Sequence, residues 1–226
     1  VRPAAIRPEV REHEGEPIPG LPEALPPGET ILWQGAPDWR LLARRAFHLR
    51  GLAAYFAVLA AFRAGTTLSE GAGIVSAFGG GSLTLLIGAA PIAILAAVAV
   101  LSARSTLYTL TDRRLVMRVG IALPMTLNIP FDVVASAGAK IQPNGAGDIM
   151  LSVLPPHRIS WVALWPHARP WRFARPEPML RSVPDARAAA TLLSRALAAQ
   201  AAQPVPSLAA AGATKAGSAG PAVAAA

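Results

Sequence analysis

Cysteine is absent from this 226-residue chain, which excludes disulfides and thiolate chemistry without fixing a compartment. Catalytic and metal-binding patterns are equally scarce. The four histidines (His13, His48, His157 and His167) stand far apart, with no HExxH and no carboxylates paired at ligand spacing. Gly79-Gly80-Gly81-Ser82 lacks the lysine and the preceding strand that a phosphate-binding loop needs. Asp112, Asp132, Asp148 and Asp185 fall at predicted turns or a helix start, where aspartate commonly caps backbone. Neither an enzyme nor a bound cofactor or metal is therefore expected. No lysine- and arginine-rich run with interleaved aromatics appears, which argues against nucleic acid. Nor is a cleavable signal expected, because the start is polar and proline-rich and the first apolar run begins near residue 49.

What the chain does have is apolar length. Hydrophobic residues make up 53% of it, and Ser82–Ala103 carries no charge. As a helix, that stretch reaches roughly 33 Å, enough for a bilayer core of about 30 Å. Gly88 and Pro91 weaken a soluble helix but are tolerated in a membrane span. A first span is predicted over 51–68, with Arg63 near the far interface. A Gly/Ser/Thr-rich connection over 65–81 joins the two, its Ile74–Phe78 patch too weak for a third crossing. Residues 29–50 read as a basic amphipathic approach to the membrane, in which Ile31, Leu32 and Trp33 suggest a short strand or a membrane-surface segment and Arg40, Arg44, Arg45 and Arg50 lie among Leu41, Leu42, Phe47 and Leu49. Trp33 and Trp39 suit an interfacial aromatic belt, though Trp33 equally suits a core. Arginines crowd both hairpin ends and not its connection, so both termini are expected in the cytoplasm. Residues 1–28 and 201–226 are expected to be disordered.

After Arg104 the hydrophobic period shortens to two. Leu115, Met117 and Val119 share one face opposite Arg114, Val116 and Arg118, and Met125, Leu127 and Ile129 alternate with Thr126 and Asn128. Further strands are predicted over 133–141, 148–154 and 159–164. A final helix starts at Pro184-Asp185, its apolar stripe formed by Ala189, Leu192, Leu193, Ala196 and Leu197. Residues 104–200 thus outline an antiparallel meander closed by a helix, a small β-barrel with a plugged end. This stretch holds 12 basic residues against 5 acidic ones, a surplus that favours anionic headgroups or an acidic protein face.

Two segments carry a resemblance: LPPGETILWQGAPDW (25–39) and TLYTLTDRRLVMRVG (106–120). Together they look like bacterial pleckstrin-homology-like (PH-like) membrane proteins. The second half more specifically resembles the PuhB family of photosynthetic-complex assembly proteins of purple bacteria, through TDRRLVMRVGIALPMTLNIPF (111–131), GDIMLSV (147–153) and LWPHARPWRFARPEPMLRSVPDA (164–186). It covers roughly residues 20–200. It implies an α+β membrane protein of the bacterial photosynthetic inner membrane. The fold would be a two-helix transmembrane hairpin followed by a PH-like barrel of about seven antiparallel strands with a C-terminal capping helix. The implied role is assembly of the light-harvesting 1–reaction centre complex, with its subunits as partners. The long N-terminal arm and the glycine-rich connection depart from that pattern.

Candidate contact residues fall in two places. Trp165, His167, Arg169 and Trp171 lie in a proline-stiffened segment that reads either as a rigid partner surface or as a loop closing the barrel. Arg113, Arg114 and Arg118 would instead meet anionic lipid if the chain is a lipid-binding module, which is the rival reading. His48, ahead of the first span, reads as an interfacial polar residue or as a magnesium ligand for bacteriochlorophyll. Gly88, Ala89, Ala90, Ala96 and Ala97 permit close helix approach, so a homodimer is a further expectation.

Overall fold

The computed structural model describes residues 18–202 except 22 and 156–158. Most of the expected arm and nearly all of the expected tail lie outside the described residues. The boundary at residue 28 moves, however. Leu21 is buried, and Gln34 Nε2 donates to Pro19 O at 2.8 Å, so residues 18–21 are held against the folded domain.

Two helices dominate the length: α2 (Leu49–Ser69) and α3 (Ile74–Ser105). Only Glu70–Gly73 connects them, so the predicted connection over 65–81 is mostly helix. Gly80 and Gly81 in that stretch, and Gly88 beyond it, sit close against the facing helix, which offsets their helix cost. A Cβ at Gly88 would run into the Phe56 ring, and one at Gly80 would lie 3.2 Å from Arg63 Nε. Hydroxyls that would be costly in lipid bond back to their own helix. Thr67 Oγ1 donates to Arg63 O at 2.8 Å and Thr84 Oγ1 to Gly80 O at 2.9 Å. Both helices are long and apolar enough to cross a membrane, and their most apolar windows are only 6% and 11% buried. Burial that low does not fit the core helix of a soluble protein.

The sheets are built from both sides of this hairpin. β1 (Ile31–Gly35) precedes it, yet pairs antiparallel with β2 (Leu107–Thr111), which follows it. β3 (Arg114–Val119) and β4 (Met125–Pro130) complete a four-stranded sheet in the order β1-β2-β3-β4. β5 (Val134–Ile141), β6 (Gly147–Val153) and β7 (Met179–Val183) form a second, three-stranded sheet.

Among the described residues seven strands are present, but they do not close into the expected barrel. β4 ends at Pro130, which has no N–H to give a ladder. A single 3-10 turn (Phe131–Val133) then swings the chain into the other sheet. The two sheets face each other across a shared core of Tyr108, Leu110, Leu115, Met117, Ile129, Ile149, Leu151 and Leu180. The helix α5 (Ala186–Ala201) covers this core with Ala189, Leu193 and Ala196, the stripe its spacing predicted.

Three other expectations change. Residues 159–164 are not a strand, because Trp161–Leu164 forms the single-turn helix α4. The seventh strand is Met179–Val183, which its proline-rich flanks and its length of five residues concealed. The basic approach over 29–50 divides into β1 and a short helix, α1 (Trp39–Arg45), started by the Asp38 carboxylate accepting from Arg40 N at 2.7 Å. Its apolar side, Leu42 and Ala43, is buried inside the protein, where α1 packs on α3 and β7.

Candidate functional site

Where the hairpin meets the sheets, polar side chains are buried together. The centre is His167, wholly buried, in the chain excursion between β6 and β7. Its Nδ1 lies 2.7 Å from the Tyr108 hydroxyl on β2. Its Nε2 lies 3.0 Å from Thr106 Oγ1 and 3.3 Å from Ser102 Oγ at the end of α3. Arg181 N, on β7, donates to the Tyr108 hydroxyl at 3.2 Å. A phenol accepting that bond has its own proton to give, and Nδ1 is in reach. Nε2 then carries the ring proton and donates toward Thr106 and Ser102, a tautomer inferred from the network.

Burial, with the Arg181 charge adding to it, holds the His167 imidazole down to about 3, so it is neutral. Burial also raises the Tyr108 phenol well above its ordinary value. The Arg181 guanidinium is lowered by burial and opposed by the nearby Asp148 carboxylate, and its Nη1 donates to Pro166 O at 2.9 Å. Asp148 in turn accepts from Ser182 N at 2.8 Å and lies 3.8 Å from Arg45 Nη1 of α1. Ser182 O accepts from Asp38 N at 2.9 Å. One continuous set of contacts therefore joins α1, α3, β2, β6 and β7. Its centre, Ser102, Thr106, Tyr108, His167 and Ser182, is buried, while Arg45, Asp148 and Arg181 reach partly to solvent, and the whole is a joint that ties the hairpin's end to both sheets.

The outer side of the same excursion is very different. Trp165 sets its edge on Phe47, just ahead of α2, with ring centroids 5.9 Å apart. Trp161 and Trp171 each meet Phe173, at 5.4 and 6.4 Å. Trp171 is 87% exposed. Arg169 Nη1 donates to Glu177 Oε2 at 2.6 Å, and Arg172 Nε lies 3.8 Å from the same carboxylate. The structure thus divides the four residues expected here. His167 is interior and is withdrawn from any contact surface, whereas Trp165, Arg169 and Trp171 face outward.

The three strand arginines do not form one patch beside a bilayer. Arg118 pairs across from Leu107, just beyond α3. Arg114 sits opposite Pro130, about 13 Å further along β3. It is held there by the buried Glu29 carboxylate at 2.7 Å. Arg113 lies in the turn beyond it, so only Arg118 stays near the hairpin. His48 is exposed immediately ahead of α2, in left-handed backbone at φ 52°. Sequence reasoning missed Tyr108, Ser102, Thr106, Asp148 and Arg181 as a group. No local signal unites them, because they come from three separate stretches of chain: the α3–β2 junction, β6 and β7.

Two facing antiparallel sheets with a C-terminal helix, joined to an apolar hairpin, define the class. The chain belongs to the bacterial PH domain family, whose model matches residues 52–197. Among individual proteins, it is 40% identical over 190 residues to an uncharacterised 23.7 kDa protein in the puhA 5′ region of Rhodobacter capsulatus. That match covers 84% of this chain and 89% of the relative. No solved structure matches the chain.

Proposed function

We propose that this protein is a non-enzymatic assembly factor for the light-harvesting 1–reaction centre complex, embedded in the bacterial photosynthetic inner membrane. The observation that carries the reading is the 40% identity, across most of both chains, to a protein encoded beside puhA. The resemblance of residues 111–131 and 164–186 to photosynthetic-complex assembly proteins points the same way.

The architecture suits such a role. α2 and α3 expose Tyr55, Val58, Phe62, Leu86 and Ile94 outward, a surface fitted to lipid or to subunit helices. Gly88 packs against Phe56 within the hairpin, whereas Ala89, Ala90 and Ala97 are exposed and leave a face on which a second copy could dock. Pairing of β1 with β2 supports a hairpin whose two ends lie on one side of the membrane, and the arginine asymmetry favours the cytoplasm as that side. The buried joint would hold the basic domain at a fixed angle to the hairpin while it engages the extramembrane ends of subunits.

Deletion of the gene tests this reading. Assembled complex, measured by membrane absorbance and by native gel, should fall while total extractable pigment persists. Normal complex in the deletion strain, or loss of pigment synthesis itself, would overturn it.

A further inference from the structure

Two loops flank the exit of α3, and both expose apolar side chains there. The β3–β4 loop begins beside Val119, which pairs with Met125, while Arg118 lies opposite Leu107 just beyond the helix. It presents Leu123 at 84% exposure, with Ile121 beside it. The β6–β7 excursion presents Trp171 and Phe173. Its Trp165–Phe47 contact sets it level with the start of α2. Soluble surfaces seldom leave aromatic and aliphatic anchors this exposed on two loops at one end of a domain.

From these placements we infer that both loops seat in the headgroup layer of the bilayer that the hairpin enters, with anionic lipid as their partner. Charge decides the kind of lipid. Arg169, Arg172 and Arg175 accompany the rings, against the single carboxylate of Glu177, which Arg169 and Arg172 already share. Tryptophan rings favour the interfacial depth, and arginines beside them reach phosphate oxygens. The apolar surface is also continuous with the lipid-facing hairpin, because Phe47 leads directly into α2. A folded protein partner would need complementary acidic and apolar pockets on both loops, whereas one planar anionic surface meets both together. The inference requires the hairpin to enter a bilayer but does not rest on the assembly role.

The cysteine-free sequence makes a direct test possible. Full-length protein carrying F173C, L123C or R113C, each with an environment-sensitive fluorophore, is reconstituted into two kinds of vesicle. One is zwitterionic, and the other contains phosphatidylglycerol. Both carry a spin-labelled lipid quencher. All three sites are at the surface, so the labels leave the core intact. Quenching at positions 173 and 123 should exceed that at 113, beyond the far end of β3, several-fold. R172E with R175E should reduce quenching at 173 in anionic vesicles at low salt, with little change in zwitterionic ones.

Equal quenching at all three positions would overturn the proposal. Equal quenching at 173 in both lipids, unmoved by the charge reversals, would overturn its anionic part. Shielding at 173 in native membranes but not in vesicles would identify a protein as occupant and overturn it as well.

Discussion

His167 shows how strongly one buried ring can bind distant segments. The folded chain keeps its imidazole neutral down to about 3, whereas an exposed histidine titrates at 6.5. Between those values the unfolded chain takes up a proton that the folded chain refuses. Stability from this residue is therefore complete above pH 6.5 and is lost progressively as pH falls below it. The limiting slope is about 1.4 kcal/mol per pH unit. H167F should remove that component from the melting profile of detergent-solubilised protein between pH 7 and pH 4. It should also lower stability at pH 7 by about 2–4 kcal/mol, because the Tyr108 and Thr106 hydroxyls lose a buried partner. An H167F profile parallel to that of the parent would show that the ring is not the titrating group. The residue was conspicuous in the sequence beside Trp165 and Trp171, but its inward direction was not, since Pro-His-Ala-Arg carries no period that reveals a face.

At the scale of elements, the hairpin depends on which glycines face the partner helix. G88A places a methyl against the Phe56 ring and should destabilise the helix pair by about 1–3 kcal/mol. G65A meets nothing within 4 Å and should be neutral or stabilise the helix by up to about 1 kcal/mol. Thermal melting of the two variants in one detergent separates them, and equal melting would remove Gly88 from the helix contact. Both helices and α5 were legible because a long apolar run, or a repeat of 3.6, is written along the chain itself. α1 was legible as an amphipathic helix but not in what it faces. Leu42 would suit a bilayer or a protein groove equally, and only the approach of α3 and β7 makes the groove. β7 was hidden for a further reason. Ser182 adopts φ 53° within the strand, and its N and O bond to Asp148 and Asp38 instead of extending a regular ladder.

For the whole molecule, the interleaving of hairpin and sheet is decisive. β1 and α1 lie upstream of the hairpin, so a fragment of residues 104–200 lacks the strand that covers β2 and the helix that packs on β7. That fragment should melt well below a chain in which residues 29–46 are joined to it through a flexible linker, as followed by circular dichroism. Equal melting of the two would mean that β1 contributes nothing to the folded unit. The same pairing gives an expectation for topology. Reporters near residue 20 and after residue 200 should give cytoplasmic signals, and one at Gly71 the opposite. Signals of opposite side from the two ends would be incompatible with β1 pairing to β2 across a membrane-crossing hairpin.

The sequence alone determined the two apolar helices, most of the strand alternation, the capping stripe of α5 and the surplus of basic charge. Each depends on the order of side chains over a few turns or one strand. Tertiary structure decided what lies across the chain from what. Ile31 meets Thr111, Ser102 meets His167, and Arg114 meets Glu29. It also decided that seven strands make two facing sheets and not a closed barrel. Hydropathy records how much a residue gains by leaving water, but not which neighbour receives it. That choice is made only when distant segments compete for the same buried space.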